Sequence, residues 1–122
     1  MKSYTDLYQS KKLAKILSIE SADMIYVHTI DLEGDEHYDI DFRDKNPLFE
    51  DDVCAWSLAS LLELLPKRLE IEDNVYELSV YFYGLYYWNI ANGNPCFEFK
   101  DKDNLVDACV AMIEKLNEHK ML

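Results

Sequence analysis

The alternation of apolar and polar positions divides this chain into three helical and six extended stretches. Across residues 5–17, Leu7, Leu13, Ala14, Ile16 and Leu17 fall on one broad stripe, with Lys11, Lys12 and Lys15 largely off it. That is the period of an amphipathic helix. Residues 24–30, Met24-Ile25-Tyr26-Val27-His28-Thr29-Ile30, read as a strand, and residues 36–42 alternate Tyr38, Ile40 and Phe42 with His37, Asp39 and Asp41. The period of two predicts a strand pair, turned at Glu33-Gly34-Asp35. A loop over residues 43–55 contains Asn46-Pro47 and the acidic run Glu50-Asp51-Asp52. A helix follows: Ser57 caps it, Trp56 packs on Leu61 across the cap, and Leu58, Leu61, Leu62 and Leu65 form its buried stripe. Pro66 ends it, because the residue before proline avoids the helical conformation.

Residues 69–99 predict a four-stranded meander. A two-residue turn at Asp73-Asn74 sets Ile71 opposite Tyr76 and Leu69 opposite Leu78. A three-residue loop at Tyr83-Gly84-Leu85 sets Val80 opposite Trp88 and Leu78 opposite Ile90. The Asn92-Gly93-Asn94-Pro95 loop then sets Ile90 opposite Phe97 and Trp88 opposite Phe99. The last helix runs over residues 104–118, capped by Asp101 or Asp103, and buries Leu105, Cys109, Met112, Ile113 and Leu116. The expected core is Trp56, Leu61, Leu78, Val80, Trp88, Ile90, Phe97, Met112 and Ile113. The fold class is α+β: an antiparallel four-stranded meander plus a hairpin in the N-terminal half, packed with three helices in the order α-β-β-α-β-β-β-β-α. One domain is expected over residues 1–122, since repeats and Gly, Ser or Pro-rich linkers are absent.

Ala55-Trp56-Ser57-Leu58, Leu61-Leu62-Glu63-Leu64-Leu65-Pro66, Tyr76-x-Leu78 and Leu105-x-Asp107-Ala108 occur together over residues 50–118. In these motifs the chain resembles short uncharacterised proteins encoded by phages and conjugative elements of anaerobic gut bacteria. The resemblance implies a genomic setting and no activity, and it transfers no functional residue.

Composition narrows the function. An apolar share of 49% in 122 residues suffices for a core without disulfide or metal. Cys54, Cys96 and Cys109 are odd in number and widely spaced, unlike a secreted disulfide framework. With no membrane-length apolar run and a polar start, a cytoplasmic protein is expected. The charge is uneven: residues 20–52 hold twelve acids against Arg43 and Lys45, a net of −10 out of −12 for the chain. Such a surface repels phosphates, so nucleic acid is not an expected partner.

Asp31-x-Glu33-x-Asp35 has calcium-loop spacing, but Glu36 stands where glycine is needed and Phe42 where the twelfth-position glutamate belongs. The histidines and cysteines match no zinc spacing. No metal and no cofactor are therefore expected. His28 or His37 beside Asp39 or Asp41 would make a His–carboxylate pair fit for acid–base work, or equally an ordinary cross-strand charge pair.

The expected register puts Tyr81 and Tyr87 on the outer face of the meander, with Lys100 next in the row and Tyr83 at the edge. Tyrosine is favoured in interfaces, although a helix or the first hairpin covering this face would make the tyrosines core instead. The expectation is a non-enzymatic, acidic protein-binding module of a mobile element. Its partner, an unidentified protein, is met through Tyr81, Tyr83, Tyr87, Lys100, Asp39, Asp41, Asp51 and Asp52. A sharper form is a nucleic acid mimic whose carboxylates occupy a basic groove on a host protein. The rivals are a small enzyme using the His–carboxylate pair and a self-associating structural protein.

Overall fold

The computed structural model describes residues 2–44, 49–82, 84–100 and 103–122. Among them run helices α1 (Leu7–Leu13), α2 (Leu58–Leu64) and α3 (Leu105–Glu118). The strands are β1 (Met24–Ile30), β2 (Glu36–Phe42), β3 (Val53–Ala55), β4 (Arg68–Ile71), β5 (Asn74–Tyr81), β6 (Gly84–Asn89) and β7 (Pro95–Phe99). They form two antiparallel sheets, ordered β2-β1-β3 and β4-β5-β6-β7. The class is α+β, and the order of the longer elements is the expected one. The addition is β3, whose three residues pair with Met24 to Tyr26 in a stretch assigned to loop. Three residues carry no readable alternation.

Local chemistry explains the helix starts. Asp6 and Gln9 form a reciprocal capping box on α1. Ser57 caps α2, accepting from the Ser60 N–H, and Trp56 and Leu61 are both fully buried in the core beside it. On α3 the cap is Asn104, whose side chain accepts from the Asp107 N–H. This displaces the expected Asp103, and Asp101 lies outside the described residues. Thr5 ties the chain start to the core: its N–H donates to the Trp56 carbonyl at 2.9 Å, its Oγ1 accepts from the Trp56 N–H at 3.1 Å, and its carbonyl accepts from the Tyr26 hydroxyl at 2.8 Å.

The meander differs in register from the expectation. The first turn is Glu72-Asp73, both at positive φ, which pairs Leu69 with Tyr76. That is a shift of two residues on β5, and it leaves the faces unchanged. The second turn is decisive. Tyr81 pairs with Gly84, so Leu78 lies opposite Tyr87 and Val80 opposite Leu85. The shift is odd and turns β6 over. Leu85, Tyr87 and Asn89 face inward, whereas Tyr86 and Trp88 face outward. Gly84 is a strand residue, not a turn residue. A Cβ there would lie far inside van der Waals contact distance of the Phe99 carbonyl oxygen.

The expected core is corrected accordingly. Trp56, Leu61, Met112 and Ile113 are fully buried; Leu78 and Phe97 are partly buried against them. Val80 and Ile90 are exposed and Trp88 is half-buried, their places taken by Leu85 and Tyr87. The buried Tyr87 hydroxyl donates to the Pro66 carbonyl at 2.6 Å. Buried Asn89 is satisfied too, accepting from the Ala91 N–H at 2.8 Å and donating to Asn74 at 3.3 Å.

These placements rank four substitutions by urea denaturation. Leu61→Ala should cost about 2–5 kcal/mol, as for other large-to-small core changes. Tyr87→Phe should cost about 1 kcal/mol, the worth of one hydrogen bond. Gly84→Ala should cost about 1–3 kcal/mol through overpacking. Trp88→Ala should cost less than Leu61→Ala. A Gly84→Ala protein as stable as wild type would overturn the β6–β7 register.

Candidate functional site

The outer face of β4-β5-β6-β7 is built by alternation. Inward Leu78, Leu85 and Tyr87 force Ser79, Tyr81, Tyr86 and Trp88 to the other side. In cross-strand rows, Ser79 meets Tyr86 and then Glu98, while Glu77 meets Trp88 and then Pro95. Tyr81 and Tyr86 stack edge to face at 5.8 Å between ring centroids. Arg68 and Glu77 pair at 2.9 Å, and Lys100 pairs with Glu98. Helix α3 packs on β6 and β7 from the opposite, Leu85–Tyr87 side. The outer face carries a shallow depression of about 680 Å3 lined by Ser79, Tyr81, Tyr86, Gly93, Pro95, Glu98 and Lys100.

Of the residues singled out from sequence, Tyr81 and Lys100 belong to this surface, and Tyr83 lies outside the described residues. Tyr87 does not belong to it. The odd shift in β6 buries its ring completely, and burial pushes its phenol far above the usual range. Tyr86 and Trp88 take its place. They escaped sequence reasoning because Leu85-Tyr86-Tyr87-Trp88 contains no polar residue to set the phase.

The acidic residues occupy the other sheet. Asp39 and Asp41 lie opposite Val27 and Ile25, exposed on one face of the hairpin. Asp51 is exposed beside His28, with its carboxylate 3.8 Å from Nδ1, and Glu36 is 3.7 Å from Nε2. His37 Nε2 lies 2.9 Å from the Asp31 carboxylate. The histidine partners are thus Glu36, Asp51 and Asp31, not the expected Asp39 or Asp41. Asp52, just before β3, serves the fold: one oxygen accepts from the His28 N–H at 3.3 Å and the other from the Phe49 N–H at 3.2 Å. The acidic and aromatic residues therefore form two surfaces on separate sheets.

Asp31, Glu33 and Asp35 come together at the hairpin turn. There one Asp31 oxygen accepts from the Glu33 and Asp35 N–H groups, both at 2.9 Å, while the other meets His37. The cluster organises its own turn. The thiols are all free, and burial pushes Cys109 up to about 12, which suppresses the nucleophilic thiolate.

Two carboxylates brace the fold electrostatically. Burial alone would raise Asp23, but hydrogen bonds from the Ser57 hydroxyl and N–H outweigh it and hold the carboxyl below the ordinary 3.8. Burial likewise opposes ionisation of Asp107, and Lys2 at 2.8 Å together with Gln9 at 2.8 Å overcomes it.

Against known proteins, no family model, no curated protein and no solved structure matches this chain. The fold and surface define it as an α+β protein whose meander turns an aromatic face away from α3. No helix among the described residues is long and apolar enough to cross a membrane.

The sign of the acid effect follows from the lowered carboxyls. A depressed folded-state value gives stability that is present above the unfolded value and lost as pH falls through the folded one. The stability gap between wild type and Asp23→Asn, and likewise Asp107→Asn, should be full at pH 7 and close as pH falls below 3.8. Urea midpoints at a series of pH values check this. A gap that stays constant down to strong acid would remove both ion contacts from the stability account.

Proposed function

We propose that this protein is a non-enzymatic, acidic protein-binding module that meets its partner through the outer face of the meander. The observation that carries the reading is the placement of Tyr81, Tyr86 and Trp88 on a face that α3 leaves uncovered. Partly buried rings interleaved with Ser79, Glu77, Glu98, Arg68 and Lys100 form an amphipathic surface. Rigid aromatic area with a polar surround is the composition of protein interfaces. Net charge of −12 and two glutamates on the face oppose a nucleic acid occupant. The acidic hairpin contributes at a distance: Asp39 and Asp41, with Asp51 beside His28, are exposed and attract a basic partner before contact. The His28 and His37 contacts support a role as cross-strand braces. The setting we propose, an accessory protein of a mobile element, rests on the motif resemblance.

The test separates the two surfaces. Affinity capture from host lysate identifies a partner, whose binding is then measured against variants. Tyr86→Ala with Trp88→Ala should raise Kd about thirtyfold or more, since interface aromatics often contribute over about 2 kcal/mol. Thermal stability should fall only modestly. Asp39→Asn with Asp41→Asn should instead slow association, and the slowing should vanish at high salt, where the screening length drops to about 3 Å. Unchanged binding by the aromatic variant would overturn the assignment of this face.

A further inference from the structure

Strand β2 is the outer strand of the three-stranded sheet, and among the described residues only β1 pairs with it. Its hydrogen-bonding parity can be read from the two ends of the hairpin. The Asp31 N–H donates to the Asp35 carbonyl and the Arg43 N–H to the Asp23 carbonyl. The register between them is unbroken. In an antiparallel ladder the bonded pairs alternate, so Asp35, His37, Asp39, Asp41 and Arg43 turn their backbone groups toward β1. Glu36, Tyr38, Ile40 and Phe42 therefore turn theirs outward. Phe42 confirms the parity, because its N–H is taken by the Asp41 carboxylate at 2.8 Å. The edge thus offers the N–H and C=O groups of Glu36, Tyr38 and Ile40 in a row.

The side chains along this edge divide by face. Tyr38, Ile40 and Phe42 share one side, with Phe42 78% exposed, while Asp39 and Asp41 share the other. Among the described residues, the nearby lysine and arginine are already engaged: Lys11 lies 5.8 Å above the Tyr38 ring, and the Arg43 guanidinium holds the Ile19 carbonyl. We propose that the outer edge of β2 is a strand-addition site for an extended, basic segment of a partner protein, alternating lysine or arginine with apolar residues. Charge selects this occupant over a second copy. Two β2 strands side by side would bring Asp39 and Asp41 against the same carboxylates in chains that each carry −12. The proposal goes beyond the aromatic face and is independent of it, since the two surfaces lie on different sheets.

An antiparallel incoming strand makes a specific demand. Residues opposite Tyr38 and Ile40 must turn their own amides toward β2, and these are the apolar residues. The basic residues, opposite Asp39, then point their amides away. The probe is a fluorescent peptide of about eight residues, a typical strand length, alternating valine and lysine. Two forms carry backbone N-methyl groups, one at the valines and one at the lysines, and a fourth peptide groups the same residues into a valine block and a lysine block.

The alternating peptide should bind saturably, with the lysine-methylated form close to it. The valine-methylated form should be about tenfold weaker or more, the equivalent of about 1.4 kcal/mol. Hydrogen exchange should show new protection at the Glu36, Tyr38 and Ile40 amides. Ile40→Pro removes an outward donor while sparing the β1 ladder, and it should abolish binding. If that variant fails to fold, the methylated pair and the exchange data decide. Equal binding by both methylated forms and the block peptide would reduce the edge to charge adhesion and overturn the proposal. So would the absence of saturable binding, or loss of binding in Tyr86→Ala with Trp88→Ala without protection at the edge.

Discussion

At Gly84 two backbones meet with no room for a side chain, and the direction of every residue in β6 follows from that contact. With Gly84 opposite Tyr81, Leu85 and Tyr87 must point into the core, and Tyr86 and Trp88 must point out. Strand β7 then has to supply inward residues at both ends. It does so through a bulge: Phe97, at φ 46, is inserted between the Tyr86–Glu98 and Tyr87–Cys96 pairs. Cys96 and Phe99, an odd distance apart, can thereby pack on the same core. The outer face inherits Tyr81, Tyr86 and Trp88 as the complement of this arrangement.

What the sequence disclosed depended on how local each signal was. The Ser57 cap, the burial of Trp56 and Leu61 on either side of it and the strand over residues 36–42 rest on short-range signals, and they appear as read. The β6 register is long-range, since it depends on how near Phe99 approaches Gly84. A glycine in a strand and a glycine in a turn look alike in one dimension. Asn89 compounded the ambiguity. It looks like a surface residue, yet it is buried, with its polar atoms bonded to Asn74 and the following loop amides. A polar residue that points inward sends a phase argument to the wrong face. The candidate site suffered the same inversion, with Tyr81 and Lys100 legible and Tyr86 and Trp88 exchanged with Tyr87.

The charge distribution is organised by sheet. Lysines of the N-terminal segment are engaged near α3: Lys2 binds Asp107 and Asp6, and Lys12 binds Glu114 at 3.0 Å. These pairs hold α1 against α3. Individually such partly exposed contacts contribute little to stability. Their larger effect is to concentrate the remaining negative charge. Among the described residues, Asp39, Asp41 and Asp51 form no ion pair with a lysine or arginine. Repulsion among like charges falls mainly on the hairpin, away from the packed core of Trp56, Tyr87 and Ile113.

That separation has a consequence for recognition. Coulomb attraction reaches about 8 Å at physiological salt, whereas aromatic packing acts only at contact. On the proposed reading, carboxylates on one sheet and rings on the other would let the first govern encounter and the second govern residence. Mixing them on one face would force the rings to be desolvated beside carboxylates, at a cost in polar burial that packing would have to offset. On the outer face of the meander, Glu77 and Glu98 each carry a basic neighbour, Arg68 and Lys100. The carboxylates closest to the rings are thus partly neutralised within the fold. Among the described residues, Asp39 and Asp41 form no ion pair with a lysine or arginine, which leaves their charge free to act at a distance.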